Sequence, residues 1–179
     1  DLVEHSKKHP EQVNISNAGV GSSSHLIAAL FANAAGIKVT QVAYKGAFPP
    51  SAIINNEVQM YMNGSLMPDP TNKLRMLAIT GDSRNPLIPT VPTFKEAGLP
   101  QFQASAWNAL IAPGGTPAAL VERISAETRE ILAEPAVIAK LETQLMVPSP
   151  STPAELRQKI EDEKPLWAEV IRAAKIRIE

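Results

Sequence analysis

The sequence lacks cysteine, and this absence excludes disulfide bonds, thiolate zinc sites and catalysis by a thiol. It also lacks an excess of either charge, because 17 basic and 18 acidic residues give a formal net charge of -1. Nucleic acid and anionic membranes are therefore not expected as partners. No apolar run approaches the roughly 20 residues that span a bilayer. With 44% hydrophobic residues, the chain is expected to be globular and to bury a core.

The sequence is also poor in histidine. Its three histidines, His5, His9 and His25, do not form a clear metal-binding cluster with acidic residues. We therefore predict no metal site, and nothing in the sequence indicates a cofactor.

Short apolar segments alternate with helical patterns over the first two thirds of the chain. Strands are predicted at 13–16, 39–44, 58–62, 74–80 and 105–112. The first two are separated by an amphipathic helix that should end at Gly36, and a capping box at Thr93 and Glu96 predicts another, shorter helix. This order is typical of a largely parallel sheet wrapped by crossover helices, so the predicted fold class is α/β.

The chain changes character at the sequence PGGTP, residues 113–117, after which it is mostly helical. We therefore predict two regions, an α/β ligand-binding lobe at 1–112 and a hinge with C-terminal helices at 113–179. A second capping box with proline at the first helical position, at Thr152, begins the last helix. The helical region offers only residues 145–147 as a strand, so its apolar faces need a sheet elsewhere.

Three serines and a histidine follow a glycine-rich turn in the stretch GVGSSSHLIAALF, Gly19 to Phe31. One hypothesis is a catalytic serine with a histidine base. The stretch lacks the glycine two residues after the serine that a nucleophile elbow needs, and no carboxylate stands beside the histidine. A second hypothesis is structural: one serine caps the helix and the others are solvated.

The third hypothesis is an anion-binding turn, which we favour. A helix that begins at the carboxyl edge of a parallel sheet presents unpaired N–H groups and the positive end of its dipole, and ligands bind at that edge. The loops 44–46 and 63–65 follow the next two predicted strands and should emerge at the same edge. Trp107 lies in the last predicted strand, where a core position explains a tryptophan as well as a ligand contact does.

Four blocks of sequence, GVGSSSH, YKG, PTVPTFKEAG and APGGTP, occur in this order along the chain. Together they resemble the solute-binding receptors of tripartite tricarboxylate transporters, also called Bug receptors. The resemblance runs over essentially all 179 residues. It implies a lobe of the type II periplasmic binding protein fold, with a largely parallel sheet, crossover helices and additional C-terminal helices.

The resemblance also implies a function. Receptors of this kind are periplasmic, are not enzymes, close on a small organic carboxylate and present it to membrane subunits of the transporter. Asn63 stands where many members have aspartate, which favours a solute without a cation at that point. The residues that the resemblance places at the ligand are Gly21, Ser22, Ser23, His25, Tyr44, Lys45, Gly46, Asn63 and Trp107.

A first lobe that clamps the other side of the ligand belongs to the same resemblance, and on the order of 100 residues would build it. We therefore expect this chain to be a fragment whose C-terminal helices pack on that lobe. A homodimer is expected through the apolar faces that the lobe would otherwise cover. Two alternatives stay open: a serine-dependent α/β hydrolase that uses a serine of 22–24, and a stand-alone interaction module.

Overall fold

The computed structural model describes residues 1–46, 50–62, 71 and 73–177. These residues divide into two compact units. The first unit comprises the described residues up to Ala106 together with those from Val170 on, and the second comprises Trp107–Glu169. Within the described residues, none of the helices combines the length and the apolar character needed to cross a membrane.

A parallel sheet forms the centre of the first unit. Its three strands are β1 (Asn14–Asn17), β2 (Thr40–Ala43) and β3 (Met60–Tyr61). They lie in the spatial order β2-β1-β3, with β1 paired to both neighbours. Ile15 of the central strand is fully buried, which places the core around β1. The strands predicted at 13–16, 39–44 and 58–62 are thus confirmed: the first is shifted by one residue, and the other two are shorter than predicted.

Helices connect these strands in the predicted way. The helices of the first unit are α1 (Leu2–Lys8), α2 (Ser23–Ala35) and α3 (Ser51–Ile54). Because α2 lies between β1 and β2 along the chain and α3 between β2 and β3, both are crossover helices of a parallel sheet. Helix α2 ends as predicted at Gly36, which adopts the left-handed conformation at φ 62° that favours glycine.

An aromatic cluster anchors α2 in the first unit. Phe31 of α2 is 3% exposed and meets Phe94 and Phe102 edge to face, at ring-centroid distances of 5.9 and 5.7 Å. Phe94 and Phe102 meet each other at 4.5 Å. Such arrangements bring the positive ring edge against the negative ring face, which adds to the free energy of apolar burial.

The capping box predicted at Thr93 forms its hydrogen bonds but no helix. The Thr93 N–H donates to Oε2 of Glu96 over 2.8 Å, and the Glu96 N–H donates to Oγ1 of Thr93 over 3.2 Å. The residues that follow form a turn, in which the Ala97 N–H to Thr93 carbonyl bond closes one helical turn and Gly98 ends it at φ 88°. The predicted helix is therefore wrong, because the segment ends before a second turn can form.

The strands predicted at 74–80, 105–112 and 145–147 are also wrong, since none of these described segments is a strand. In the first of them only Ile79 is buried, and it makes one isolated parallel bridge to Thr93. In the second, Leu110 and Ile111 are 67% and 83% exposed. An apolar run becomes a buried strand only where a neighbouring strand and a covering element accept it. Within the described part of the chain, none of these segments pairs with a strand.

Three helices make up most of the second unit: α4 (Ala118–Ala133), α5 (Pro135–Glu142) and α6 (Pro153–Ala173). The capping box predicted at Thr152 is confirmed, because its N–H donates to Oε2 of Glu155 over 2.7 Å and its Oγ1 accepts the Glu155 N–H. Helix α6 continues past the second unit, and its residues from Val170 on belong to the first.

We expect Phe31→Ala to destabilise the first unit by about 3–5 kcal/mol, because the substitution removes a buried ring and leaves a cavity among its aromatic neighbours. Amide hydrogen exchange of α2 measures this loss as faster exchange. Leu77→Ala is the matched control, since Leu77 is 50% exposed. Equal exchange rates of α2 in wild type and Phe31→Ala would contradict the packing described here.

Candidate functional site

The site is built on the turn between β1 and α2, and the side chain of Asn17 organises that turn. Asn17 is the last residue of β1 and is 1% exposed. Its Oδ1 accepts the Gly19 N–H over 2.9 Å, and its Nδ2 donates to Oε1 of Gln41 over 3.1 Å. The Asn17 carbonyl accepts the Tyr44 N–H over 2.8 Å. One residue therefore fixes the beginning of the turn and ties it to β2.

The three serines have three different surroundings. Ser22 is the N-cap of α2, and its Oγ accepts the His25 N–H over 3.3 Å. Ser24 is buried; its Oγ accepts the Ala18 N–H over 2.9 Å and lies 3.1 Å from Oγ of Ser22. Ser23 alone is exposed. The structural hypothesis of one cap with solvated neighbours therefore describes Ser22 and Ser23 and fails for Ser24, which stabilises the turn from inside.

His25 bonds to the backbone of the turn, and no serine donates to its ring among the described contacts. The Gly21 N–H donates to Nδ1 of His25 over 3.1 Å. Gly21 has φ 78°, a left-handed conformation that glycine adopts without strain. Burial lowers the pKa of His25 below 6.5, so the imidazole is neutral near pH 7. A histidine held this way does not act as base for Ser22, Ser23 or Ser24.

Two backbone donors of α2 stay available. The N–H groups of Ser23 and Ser24, at the first two helical positions, make no hydrogen bond to any residue in the described part of the chain. The same holds for the Ser23 hydroxyl. Unpaired N–H groups at a helix N-terminus carry the positive end of the helix dipole, so this position attracts an anion.

The loop after β2 lies beside this turn, as predicted. Because β1 and β2 run parallel with Asn17 opposite Ala43, the residues that follow each strand emerge at one edge of the sheet. A Cβ atom at Gly19 would lie 4.0 Å from the Tyr44 carbonyl oxygen. Lys45 and Gly46 follow, both exposed, and Gly46 has φ 88°. The structure therefore places the loop 44–46 and the turn that leads to residues 21–25 at the same edge of the sheet.

Asn63 and Trp107 are the two remaining residues of the predicted site. Asn63 lies outside the described residues. Trp107 belongs to the second unit and is 39% exposed, so it is not the core tryptophan that the sequence equally allowed. Its role as a ligand contact stays a prediction.

The indole N–H of Trp107 is bonded within the second unit. It donates to both carboxylate oxygens of Glu163 over 3.2 Å, and the Trp167 indole donates to the same carboxylate over 3.2 Å. Nζ of Lys159 forms an ion pair with Oε1 of Glu163 at 3.1 Å. Burial raises the pKa of Glu163, but the hydrogen bonds from two indoles and one ammonium group together lower this pKa by a larger amount. The net shift of the pKa is therefore downward.

The predicted set of site residues does not include three residues that hold the site in place: Asn17, Ser24 and Gln41. Asn17 stands two residues before a glycine, and an asparagine that accepts from the backbone two positions later is a known turn signal. No local sequence signal marks Gln41, because its partners are distant along the chain. Its Nε2 lies 3.5 Å from the His25 carbonyl, and its Oε1 accepts from Asn17; both contacts exist only in the folded sheet.

In the part of the chain that the structure describes, no group of three or more histidine, cysteine, aspartate or glutamate side chains is placed to hold a metal ion. His5 and His9 do have the spacing of paired ligands on a helix, four residues apart. Their rings contact each other with centroids 4.7 Å apart.

A family model, described as the tripartite tricarboxylate transporter family receptor, matches residues 1–176. The chain belongs to this receptor family. The family consists of solute-binding receptors and not of enzymes, which removes the support for the serine hydrolase.

Relatives with curated sequences agree. The chain is 35% identical to an uncharacterised protein of the ttuE–ttuC' intergenic region of Agrobacterium vitis, over 97% of this chain and 52% of that protein. It is 31% identical to the protein BugT of Bordetella pertussis, over 96% of this chain and 54% of BugT. The chain therefore spans about half the length of the curated relatives it matches.

Solved structures share the fold. A structure described as a periplasmic transporter superimposes with a TM-score of 0.83 at 28% identity, over 99% of this chain and 61% of that one. The periplasmic binding protein BugD gives 0.77 at 26%, over 99% and 62%. MatC of Rhodopseudomonas palustris, solved with bound malate, gives 0.76 at 28%, over 95% and 60%. The α/β fold of a periplasmic binding protein is thereby confirmed.

We expect Asn17→Ala to destabilise the β1–α2 turn by about 1–3 kcal/mol, because it leaves the Gly19 N–H and the Gln41 side chain without their buried partner. Hydrogen exchange of peptides that cover β1 and the turn measures the change. Asn33→Ala is the control, since Asn33 is exposed on α2 and alanine is the better helix former there. Unchanged exchange in Asn17→Ala would show that the turn does not depend on this side chain.

Proposed function

We propose that this chain is part of an extracytoplasmic receptor whose β1–α2 turn binds a carboxylate group of a small organic acid. The observation that carries the proposal is that some polar groups around the turn are hydrogen-bonded within the protein and others are not. Most of them are bonded internally, whereas the N–H groups of Ser23 and Ser24 and the Ser23 hydroxyl have no partner among the described residues. Two N–H groups and a hydroxyl at one helix N-terminus suit a carboxylate.

The electrostatic setting of the turn supports an anionic ligand. Helix α2 and the three strands contain no aspartate or glutamate, so no fixed negative charge on these elements opposes a carboxylate. The helix dipole adds partial positive charge at Ser23, and Lys45 stands in the neighbouring loop. MatC, which shares this fold at 28% identity, was solved with bound malate. Malate is therefore the first solute to test.

We further propose that the carboxylic acid receives its remaining contacts from a second lobe. The chain spans about half the length of its relatives, which leaves room for such a lobe in a protein of their size. In this proposal residues 1–112 form the ligand-binding lobe, the segment 113–117 is the hinge, and the helices up to 179 pack on the other lobe. Asn63 would then face a polar, uncharged part of the solute, and Trp107 would contact it near the crossover.

Location and transport partners complete the proposal. Two solved neighbours are described as periplasmic, and the family is that of a transporter receptor, which supports a periplasmic location and delivery to the membrane subunits of a tripartite tricarboxylate-type transporter.

We expect Ser23→Pro to weaken malate binding by about 10- to 100-fold, because it removes the N–H and the hydroxyl that bond the anion. The fold tolerates this change: proline is favoured at the first helical position, and Ser22 already has the extended conformation, φ -66° and ψ 160°, that precedes proline. Isothermal titration calorimetry of the purified protein measures the effect.

The matched variant Ser23→Ala removes only the hydroxyl, and we expect a loss of about 2- to 10-fold. Equal affinity of wild type and Ser23→Pro would place the carboxylate elsewhere. Turnover of a carboxylate ester that disappears in Ser23→Ala would instead support the hydrolase.

The homodimer expected from the sequence stays a prediction. Within the second unit, α4 exposes Leu120, Ile124 and Ile131 at helical spacing. Size-exclusion chromatography with light scattering tests it, because a dimer buried on this stripe should dissociate in Leu120→Glu. A monomer at every concentration would contradict the prediction.

A further inference from the structure

We propose that His25 is a positioning residue of the carboxylate site, which holds the turn in its binding geometry by accepting the Gly21 N–H at Nδ1. The inference rests on the function proposed above and adds a residue whose task is to shape the turn. It also assigns the Gly21 N–H to an internal bond, so that Ser23 and Ser24 supply the backbone donors for the anion.

The geometry carries this assignment. The Gly21 N–H and Nδ1 of His25 are 3.1 Å apart, and the bond spans the N-cap of α2. His25 is held at its backbone as well, because its N–H donates to Oγ of Ser22 and its carbonyl lies 3.5 Å from Nε2 of Gln41. The imidazole therefore connects the glycine that reverses the chain to the first turn of the helix that presents the donors.

The bond also determines the tautomer. A neutral imidazole accepts at one nitrogen and donates at the other, so acceptance at Nδ1 places the proton on Nε2. Nε2 makes no hydrogen bond to a side chain or carbonyl in the described part of the chain. Protonation of Nδ1 would place two donors, Nδ1–H and the Gly21 N–H, against each other and break the bond.

Among the described residues of α2, the β1–α2 turn and the three strands, His25 is the one histidine, and none is an aspartate or a glutamate. Helix α2, the three strands and the turn contain one other titratable side chain, Tyr61, whose pKa burial raises from 10.0. Tyr44 and Lys45 follow β2 in the neighbouring loop. Among the described residues, burial is the cause that lowers the pKa of His25.

Two roles of His25 predict opposite pH effects. If His25 positions the turn, acidification below pH 6.5 breaks the Gly21 bond and weakens solute binding. If instead it acts as a charge, acidification creates a cation beside the carboxylate and strengthens binding. The stability of the first unit follows the first sign: a lowered folded pKa means that stability is present above pH 6.5 and is lost as the pH falls through the folded pKa.

Two variants separate the nitrogens. In His25→Asn, the amide oxygen lies near the position of Nδ1 and can accept the Gly21 N–H. In His25→Gln, the amide lies near the position of Nε2 and the Gly21 N–H loses its acceptor. We expect the Kd for malate, measured by calorimetry at pH 7.5, to rise about tenfold in His25→Gln and to stay within about threefold in His25→Asn.

Between pH 7.5 and pH 5.5, we expect the wild-type Kd for malate to rise and the Kd of His25→Asn to change less. The Kd of His25→Asn includes the same titration of malate itself, and His5→Asn controls for the histidine of α1. Tighter wild-type binding at pH 5.5, or a larger loss in His25→Asn than in His25→Gln, would overturn the proposal.

Nuclear magnetic resonance tests the same assignment without a ligand. We expect the ¹⁵N shifts of His25 to report the Nε2–H tautomer and the Gly21 amide shift to follow the titration of His25. An Nδ1–H tautomer would overturn this inference even if malate binds. Absence of malate binding together with the Nε2–H tautomer would instead count against the proposed solute and leave the role of His25 supported.

Discussion

The site depends on the two hydrogen bonds that the buried side-chain amide of Asn17 makes. A glycine-rich turn has many accessible conformations, and ordering it costs free energy that the turn itself cannot supply. The Asn17 side chain offsets this cost by satisfying the Gly19 N–H on one side and Gln41 of β2 on the other. The direction in which α2 leaves the sheet, and hence where its unpaired N–H groups point, follows from this side chain.

Much of the first unit could be predicted from the sequence because its signals are local. The alternation around β1 and β2 and the left-handed glycine at Gly36 specify strand, helix and helix end within a few residues. The prediction of a strand at the apolar run 74–80 is wrong for a non-local reason. Whether such a run joins a sheet depends on an accepting edge, and the local pattern contains no information about that edge.

The serine run shows a finer limit. Ser22, Ser23 and Ser24 are chemically identical, and no property of the residues themselves separates their roles. The position of each serine relative to the start of the helix separates them. Ser22 is the N-cap of α2, Ser23 points to solvent, and Ser24 points inward and accepts the Ala18 N–H. A shift of the helix start by one residue would reassign all three, so their roles follow from the turn geometry.

The shared carboxylate of Glu163 has a spectroscopic consequence. The chain contains two tryptophans, and both indoles donate to that one side chain within the second unit. Intrinsic tryptophan emission therefore originates from two groups that are bonded to a single carboxylate. An emission change on titration or denaturation therefore reports the surroundings of Glu163 and of the two indoles that donate to it.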